Sequence, residues 1–194
     1  MPDAGRVVGG TARGTRLLAP GPGTRPLTDR VKEALFGILE AATLAPWPAP
    51  FLDGFAGSGA AGIEALSRDA PAALFVERDR GACRVIEANL VRAAVADRGR
   101  VVPGDVGRLL ETASPAGVGG PFGAVLLDPP YGDATLGTAL GQLGRSDRGW
   151  LREEAVVVAK HFWRDTPAER VGSLVLRRTR RFGETQLSFY TREP

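Results

Sequence analysis

From Phe51 onward the chain alternates short apolar runs with stretches of helical spacing, and no other feature narrows its fold so far. The apolar runs are FLDGFA, AALFVE, RVVPGD, AVLLDPP and AVVVAKH. Between them lie AAGIEALSR, RGACRVIEANLVRAAV, VGRLLETA and ATLGTALGQL, whose apolar residues recur at helical intervals. A strand buried on both faces reads as a continuous apolar run, and helices between such strands cover the two faces. The pattern therefore predicts a doubly wound α/β fold around a mostly parallel sheet. The end of the chain breaks the alternation: SLVLRRTRRFG and TQLSFYT are strand-like and joined through Gly183, which predicts an antiparallel hairpin.

Ahead of the sheet, GRVVGGTARGTRLLAPG predicts a small β-hairpin and GPGTRPL a linker. TDRVKEALFGILEAAT predicts a helix capped by Thr28 or Asp29, with Val31, Ala34, Leu35, Ile38 and Leu39 on its apolar face, and APWPAP closes it. A length of 194 residues suits one large core, so the expected division is a hairpin extension over 1–24 and a main domain over 25–194.

A single cysteine, Cys83, permits no internal disulfide, and with one histidine, His161, a Cys/His zinc site is excluded in practice. No apolar run approaches the roughly 20 residues of a membrane helix. The start, MPDAGRVVGG, lacks the apolar core of a secretory signal, so the expected location is the cytoplasm. Net charge is only +3, and just two of the 25 basic residues, Lys32 and Lys160, are lysines. Two regions lean basic: Arg6, Arg13, Arg16, Arg25 and Arg30, and then Arg177, Arg178, Arg180 and Arg181 of RRTRR. Such patches suit a polyanion, but codon bias toward arginine on a solvated face accounts for them equally well.

FAGSGAAG follows the first strand of the main sheet and opens its first helix, and Gly57, Gly59 and Gly62 satisfy G-x-G-x-x-G. The glycines allow a tight turn and let backbone N–H groups approach a ligand. Glu77 ends the next strand, 20 residues after Gly57, where a carboxylate can accept both hydroxyls of a ribose. These features do not separate a nicotinamide dinucleotide from S-adenosylmethionine.

VLLDPPYGD, Val125 to Asp133, decides between them. It ends the fourth strand of the main sheet, and the carboxyl ends of such strands form the ligand crevice. Asp128 offers a carboxylate acceptor, Pro129 and Pro130 a rigid turn with carbonyl acceptors, and Tyr131 a flat face. That set fits an unstacked base carrying an exocyclic amine: acceptors grip its hydrogens and aim the nitrogen lone pair at an electrophilic methyl. Taken alone, D-P-P is an ordinary strand-ending turn. After the glycine loop and Glu77, it points to an S-adenosylmethionine-dependent methyltransferase.

Over nearly its whole length the sequence resembles the bacterial 16S ribosomal RNA guanine-N2 methyltransferases of the RsmD type. The residues that carry the resemblance are RVVGGTARGTRLLAP, TRPLTDRVKEALFGIL, FLDGFAGSGAAGIEALSRDA, LFVERDR, EANL, LLDPPY and FGETQLSFY. DPPY marks amino-methyltransferases generally, and TRP-x-TDRVKEALF ahead of the glycine loop is the specific part. The resemblance implies a Rossmann-like class I methyltransferase with a seven-stranded sheet and an N-terminal β-hairpin. It implies transfer of a methyl group from S-adenosyl-L-methionine to the N2 amine of a guanine in 16S ribosomal RNA, in a small ribosomal subunit particle, by a monomer. By position, Asp53, Phe55, Ala56, Gly57, Ser58 and Gly59 would lie along the cofactor, Glu77 would hold its ribose, and Arg78, Asp105 and Val106 would meet its adenine. Asp128, Pro129, Pro130 and Tyr131 would hold the guanine. Arg25 and Asp29 would close the methionine side, and Arg13, Arg16, Arg25, Arg177, Arg178, Arg180 and Arg181 would contact RNA. No metal is implied.

The chain departs from the family pattern in three places. Gly54 stands where a larger apolar residue is usual, which would loosen the first strand. Ala159-Lys160-His161 replaces a Glu-His type ending. Thr11 and Ala12 occupy hairpin positions that are commonly basic. An adenine-N6 methyltransferase is the main rival, although no segment remains for a DNA target-recognition region. A dehydrogenase would have no use for DPPY, and a catalytically inactive RNA-binding subunit would have lost the glycine loop or Asp128. His161 is expected to be an ordinary polar residue at a strand end, Trp47, Trp150 and Trp163 to pack at the rim or in the core, and Cys83, Phe182 and Tyr190 to pack rather than react.

Overall fold

The computed structural model describes residues 3–21, 27–43, 47, 49–113, 115–130, 134–165 and 167–193. Two residues assigned to the site from sequence, Arg25 and Tyr131, lie outside that set. The expected hairpin is present as β1 (Asp3–Arg6) and β2 (Arg16–Leu18), paired antiparallel. It is followed by α1 (Asp29–Thr43), whose cap is Thr28: its Oγ1 accepts from the Val31 N–H at 3.4 Å.

The buried face of α1 is Val31, Lys32, Leu35, Phe36 and Leu39, one residue round from the expected stripe, so that Ala34 and Ile38 are only half-buried. The rotation follows from two side chains. Phe36 meets the rings of Trp47 and Phe51, each with centroids 6.1 Å away. Lys32 is fully buried because its ammonium donates to the Arg6 carbonyl and lies 3.5 Å from Asp29 Oδ1. A lysine whose head group finds acceptors can bury its aliphatic stem among apolar neighbours.

The main sheet comprises β3 (Phe51–Gly54), β4 (Ala73–Glu77), β5 (Gly99–Pro103), β6 (Phe122–Leu127), β7 (Leu151–Phe162), β8 (Arg170–Val171), β9 (Leu174–Phe182) and β10 (Thr185–Arg192). Among the described residues their order is β5-β4-β3-β6-β7-β10-β9-β8, parallel from β5 to β7 and antiparallel beyond. The parallel sheet and the final hairpin are as the apolar pattern predicts. The seven strands expected gain an eighth, the two-residue β8, which is too short to carry a periodic signal.

Helices α2 (Ala60–Ser67) and α3 (Arg80–Arg92) pack with α1 on one face, while α4 (Val106–Thr112) and α5 (Thr135–Leu143) cover the other. The strands feed the two layers alternately: Phe51, Phe75, Leu126 and Val158 belong to the first core, and Leu52, Leu74, Val125 and Val157 to the second. The chain leaves β3 toward β4 and β5, then returns to lay β6 on the opposite side of β3. Strand order reverses there, which opens a crevice at the carboxyl ends of β3 and β6.

Gly54 does not loosen β3. A Cβ at that position would come within 2.9 Å of Leu127 Cδ2 and 3.1 Å of Val106 Cγ2, so neighbouring side chains fill the space that a larger residue would occupy. The expected packing residues behave as expected in four cases, Trp47 being buried against Phe36 and Phe51. Cys83 is buried, Trp150 stacks on Phe122 at 6.3 Å and donates to the Leu110 carbonyl, and Tyr190 is buried with its hydroxyl on the Ala168 carbonyl.

Candidate active site

A cleft of about 510 Å³ lies over the carboxyl ends of β3, β4 and β6. Its floor begins where β3 turns into α2. Phe55, Gly57 and Gly59 all take positive φ, at 78°, 55° and 76°. A Cβ on Gly57 would meet nothing within 4 Å, whereas one on Gly62 would come within 2.2 Å of the Phe75 ring. The glycines thus divide their work: Gly57 leaves the cleft open, and Gly62 lets α2 pack on β4. Asp53 ties the turn together, since its Oδ2 accepts the Gly62 N–H at 2.8 Å.

Glu77 stands at the end of β4 with both oxygens on backbone N–H groups, Oε2 on Gly57 at 2.9 Å and Oε1 on Asp79 at 2.8 Å. These bonds fix the carboxylate against the glycine turn, and each oxygen retains a second acceptor site. Asp105 caps α4 by accepting from the Arg108 N–H at 2.9 Å, and Val106 follows on the cleft wall. Phe55, Val76 and Val106 are among the apolar residues of the lining, and Asp53, Glu77, Asp105 and Asp128 are its acids.

Asp128 follows β6 directly. In the parallel register Leu127 pairs with Ala159, so the next residues along, Asp128 and Lys160, come side by side. Lys160 Nζ lies 2.5 Å from Asp128 Oδ1, and the two side chains are 11% and 20% exposed. Burial pushes the Asp128 carboxyl above the usual aspartate range, and the charge and hydrogen bond of Lys160 offset only part of that rise. Among the described residues Asp53 has no such cationic partner. Burial first, then the charges of Asp128 and Glu77, push it up to about 8 against the pull of the Gly62 N–H.

The sequence-assigned residues Asp53, Phe55, Ala56, Gly57, Ser58, Glu77, Arg78, Asp105, Val106, Asp128, Pro129 and Pro130 all line this one cleft, and Gly59 does not. Sequence reasoning missed the roof, where Ala4, Ala19 and Pro20 come from the hairpin and Leu27 from the segment before α1. It also missed Asn89. This fully buried side chain of α3 accepts from the Leu18 N–H and donates to the carbonyls of Leu18 and Ser58, all at 2.8–2.9 Å. Asn89 thereby joins the hairpin to the glycine turn. EANL contained it as a motif, without a role.

The arginines lie elsewhere. Arg13 and Arg16 are exposed on the hairpin, Arg16 paired with Asp3 at 2.6 Å, and Arg177 is paired with Glu193. Arg178, Arg180 and Arg181 rim a second, open groove of about 400 Å³ with Arg30, Ile38 and Phe182. Arg181 also lies over the Trp163 ring at 3.7 Å, which gives that tryptophan a surface contact. Thr11 and Ala12 bond through their N–H groups to Ser67, so these positions anchor the hairpin to α2. His161 is buried at the end of β7, with its ring nitrogens at 2.8 Å from the Phe162 carbonyl and Ser188 Oγ.

Strand order, the antiparallel pair at the far end of the sheet and a cleft at the switch point make this a class I methyltransferase. More narrowly, the chain belongs to the family described as conserved hypothetical protein 95, the RsmD type, whose pattern matches residues 5–191. It is 40% identical over 153 residues to ribosomal RNA small subunit methyltransferase D of Escherichia coli K12, covering 78% of this chain and 72% of that one. The protein of the same name from Haemophilus influenzae Rd is 31% identical over 160 residues, covering 78% and 76%. A solved structure, a hypothetical protein of Thermus thermophilus, is 32% identical with a TM-score of 0.79 over 96% of this chain and 98% of its own.

Proposed function

We propose that the protein transfers a methyl group from S-adenosylmethionine to the N2 amine of a guanine in 16S ribosomal RNA, acting as a cytoplasmic monomer on a small-subunit assembly particle. The observation that carries the reading is the position of Asp128 and its two prolines, one strand across the switch point from the glycine turn and in the same cleft. The names of the relatives support ribosomal RNA as the substrate.

The residues present fit the cofactor. An open glycine turn, a fixed carboxylate at Glu77 and apolar walls suit a nucleoside, and the surplus of acids suits a positive charge. When bound, the cofactor supplies a methyl on a positively charged sulfur that leaves as a neutral thioether. Glu77 holds the ribose, while Phe55, Val76 and Val106 exclude water around the adenine, with Arg78 and Asp105 at its edge. Asp128 and the Pro129 carbonyl accept the amine hydrogens and direct the nitrogen lone pair toward the methyl. The N–C bond would form as the S–CH3 bond breaks, and the nitrogen would pass its surplus proton to the Asp128 carboxylate and from there to water. Tyr131 stacks on the base. Arg13 and Arg16 of the hairpin over residues 1–24, together with Arg25 and the β9 arginines Arg177, Arg178, Arg180 and Arg181 of the 25–194 domain, hold phosphates. Surface ion pairs such as Arg16–Asp3 are weak enough to exchange for phosphate.

Nucleoside mass spectrometry of 16S RNA from cells lacking the protein tests the proposal. One N2-methylguanosine should disappear and return on complementation. Loss of N6-methyladenosine instead would favour the adenine enzyme, and an unchanged profile would contradict both.

A further inference from the structure

We propose that Lys160 is a positioning residue that holds Asp128 as a fixed, ionised acceptor for the target amine. The inference rests on the role given to Asp128 above. It begins with register: the β6–β7 pairing sets the two residues next to each other where the strands end, on the face that looks into the cleft. Their 2.5 Å contact, with both side chains largely withdrawn from water, is a charge-assisted hydrogen bond and not a screened surface pair.

The rest of the lining explains why such a partner is needed. The charged groups around the cleft are Asp53 from β3, Glu77 and Arg78 at the end of β4, Asp105 ahead of α4, and Asp128 with Lys160. Neighbouring carboxylates in an enclosed site resist ionising together, and one of them keeps a proton. The proton stays on Asp53, whose carboxyl is raised with Asp128 contributing, while Lys160 draws the negative charge to Asp128. That choice matters chemically. An ionised Asp128 only accepts hydrogen bonds, as gripping an amine requires, whereas a protonated one would present a competing donor. With Oδ1 engaged by the ammonium, Oδ2 is the oxygen left for the amine.

The test compares Lys160→Met, which keeps the stem and removes the charge, with Lys160→Arg, after melting curves confirm that both fold. Should the Met variant fail to fold, Lys160→Gln replaces it. Two readouts are taken: the pH profile of single-turnover methyl transfer with saturating cofactor, and the titration of the Asp128 carboxyl by carbon-13 NMR in ligand-free protein, assigned with Asp128→Asn. In Lys160→Met both the acid limb and the NMR midpoint should move up by about one pH unit or more, with a loss of about tenfold or more in rate at pH below the new midpoint. Lys160→Arg should stay near the wild type in both. An unmoved midpoint and acid limb, or an Arg variant as slow as the Met variant, would overturn the proposal. Wild-type protein that methylates no RNA would sink the functional reading instead, and the NMR midpoint would still decide whether Lys160 keeps Asp128 ionised.

Discussion

Asp53 keeps its proton where an ordinary aspartate would have lost it, and this has a consequence for stability. Its carboxyl is raised from 3.8 to about 8 in the folded chain. Between those values the native state binds a proton that the unfolded state does not. Stability therefore falls as pH rises from about 4 to about 8 and levels off above. Asp53→Asn retains an acceptor for the Gly62 N–H and removes the titration. Thermal melts from pH 5 to pH 9 should show the variant gaining on the wild type until about pH 8 and then holding its lead. Parallel curves would mean that Asp53 is ionised throughout. The family resemblance alone put Asp53 forward as a residue along the cofactor, and the structure places it in the cleft. Its proton was not legible in the sequence, because that depends on Asp128 and Glu77 arriving beside it from two other strands.

Secondary-structure elements were the easier part to read, since apolar runs and helical spacing are properties of neighbouring residues. What joins one element to another was harder. The hairpin is held largely by side chains of helices far along the chain. Glu64 of α2, fully buried, accepts from the Val8 and Gly9 N–H groups at 2.8 and 2.7 Å and pairs with Arg68, and Ser67 and Asn89 hold its two flanks. Neither Glu64 nor Asn89 has a local signal for this role, because the partners are backbone atoms more than 50 residues away. Lys160 was noticed as a departure from the family pattern, yet its partner follows only from the β6–β7 register. Asn89→Ala removes three hydrogen bonds from half-buried backbone groups of Leu18 and Ser58. It should destabilise the protein by about 1–3 kcal/mol. Because Ser58 lines the cleft, it should also weaken S-adenosylmethionine. Denaturant titration and calorimetry check both effects. A loss of stability with unchanged cofactor affinity would confine Asn89 to the hairpin.

At the scale of the whole molecule the charges separate by sign. A net charge of +3 conceals a cleft lined by four acids, Asp53 among them protonated, against two cations, Arg78 and Lys160, and a groove rimmed by arginines. The acidic cleft favours a cationic small molecule, and the arginines favour a polyanion. An enzyme that brings a sulfonium to an RNA base needs both. The composition alone could not distinguish this from codon bias, because the distribution appears only when β9 is laid beside α1. Central to the account is methyl transfer at Asp128, and the direct measurement is single-turnover transfer from isotopically labelled S-adenosylmethionine to 16S RNA particles from cells lacking the protein. Wild type and Asp128→Ala are compared at saturating cofactor, with digestion of the RNA to identify the labelled nucleoside. Label should appear as N2-methylguanosine. Asp128→Ala should fold and bind cofactor nearly normally yet transfer about 10²- to 10³-fold more slowly, the loss typical of one preorganised polar contact in a transition state. Near-normal transfer by Asp128→Ala would contradict the account and reduce D-P-P to a turn.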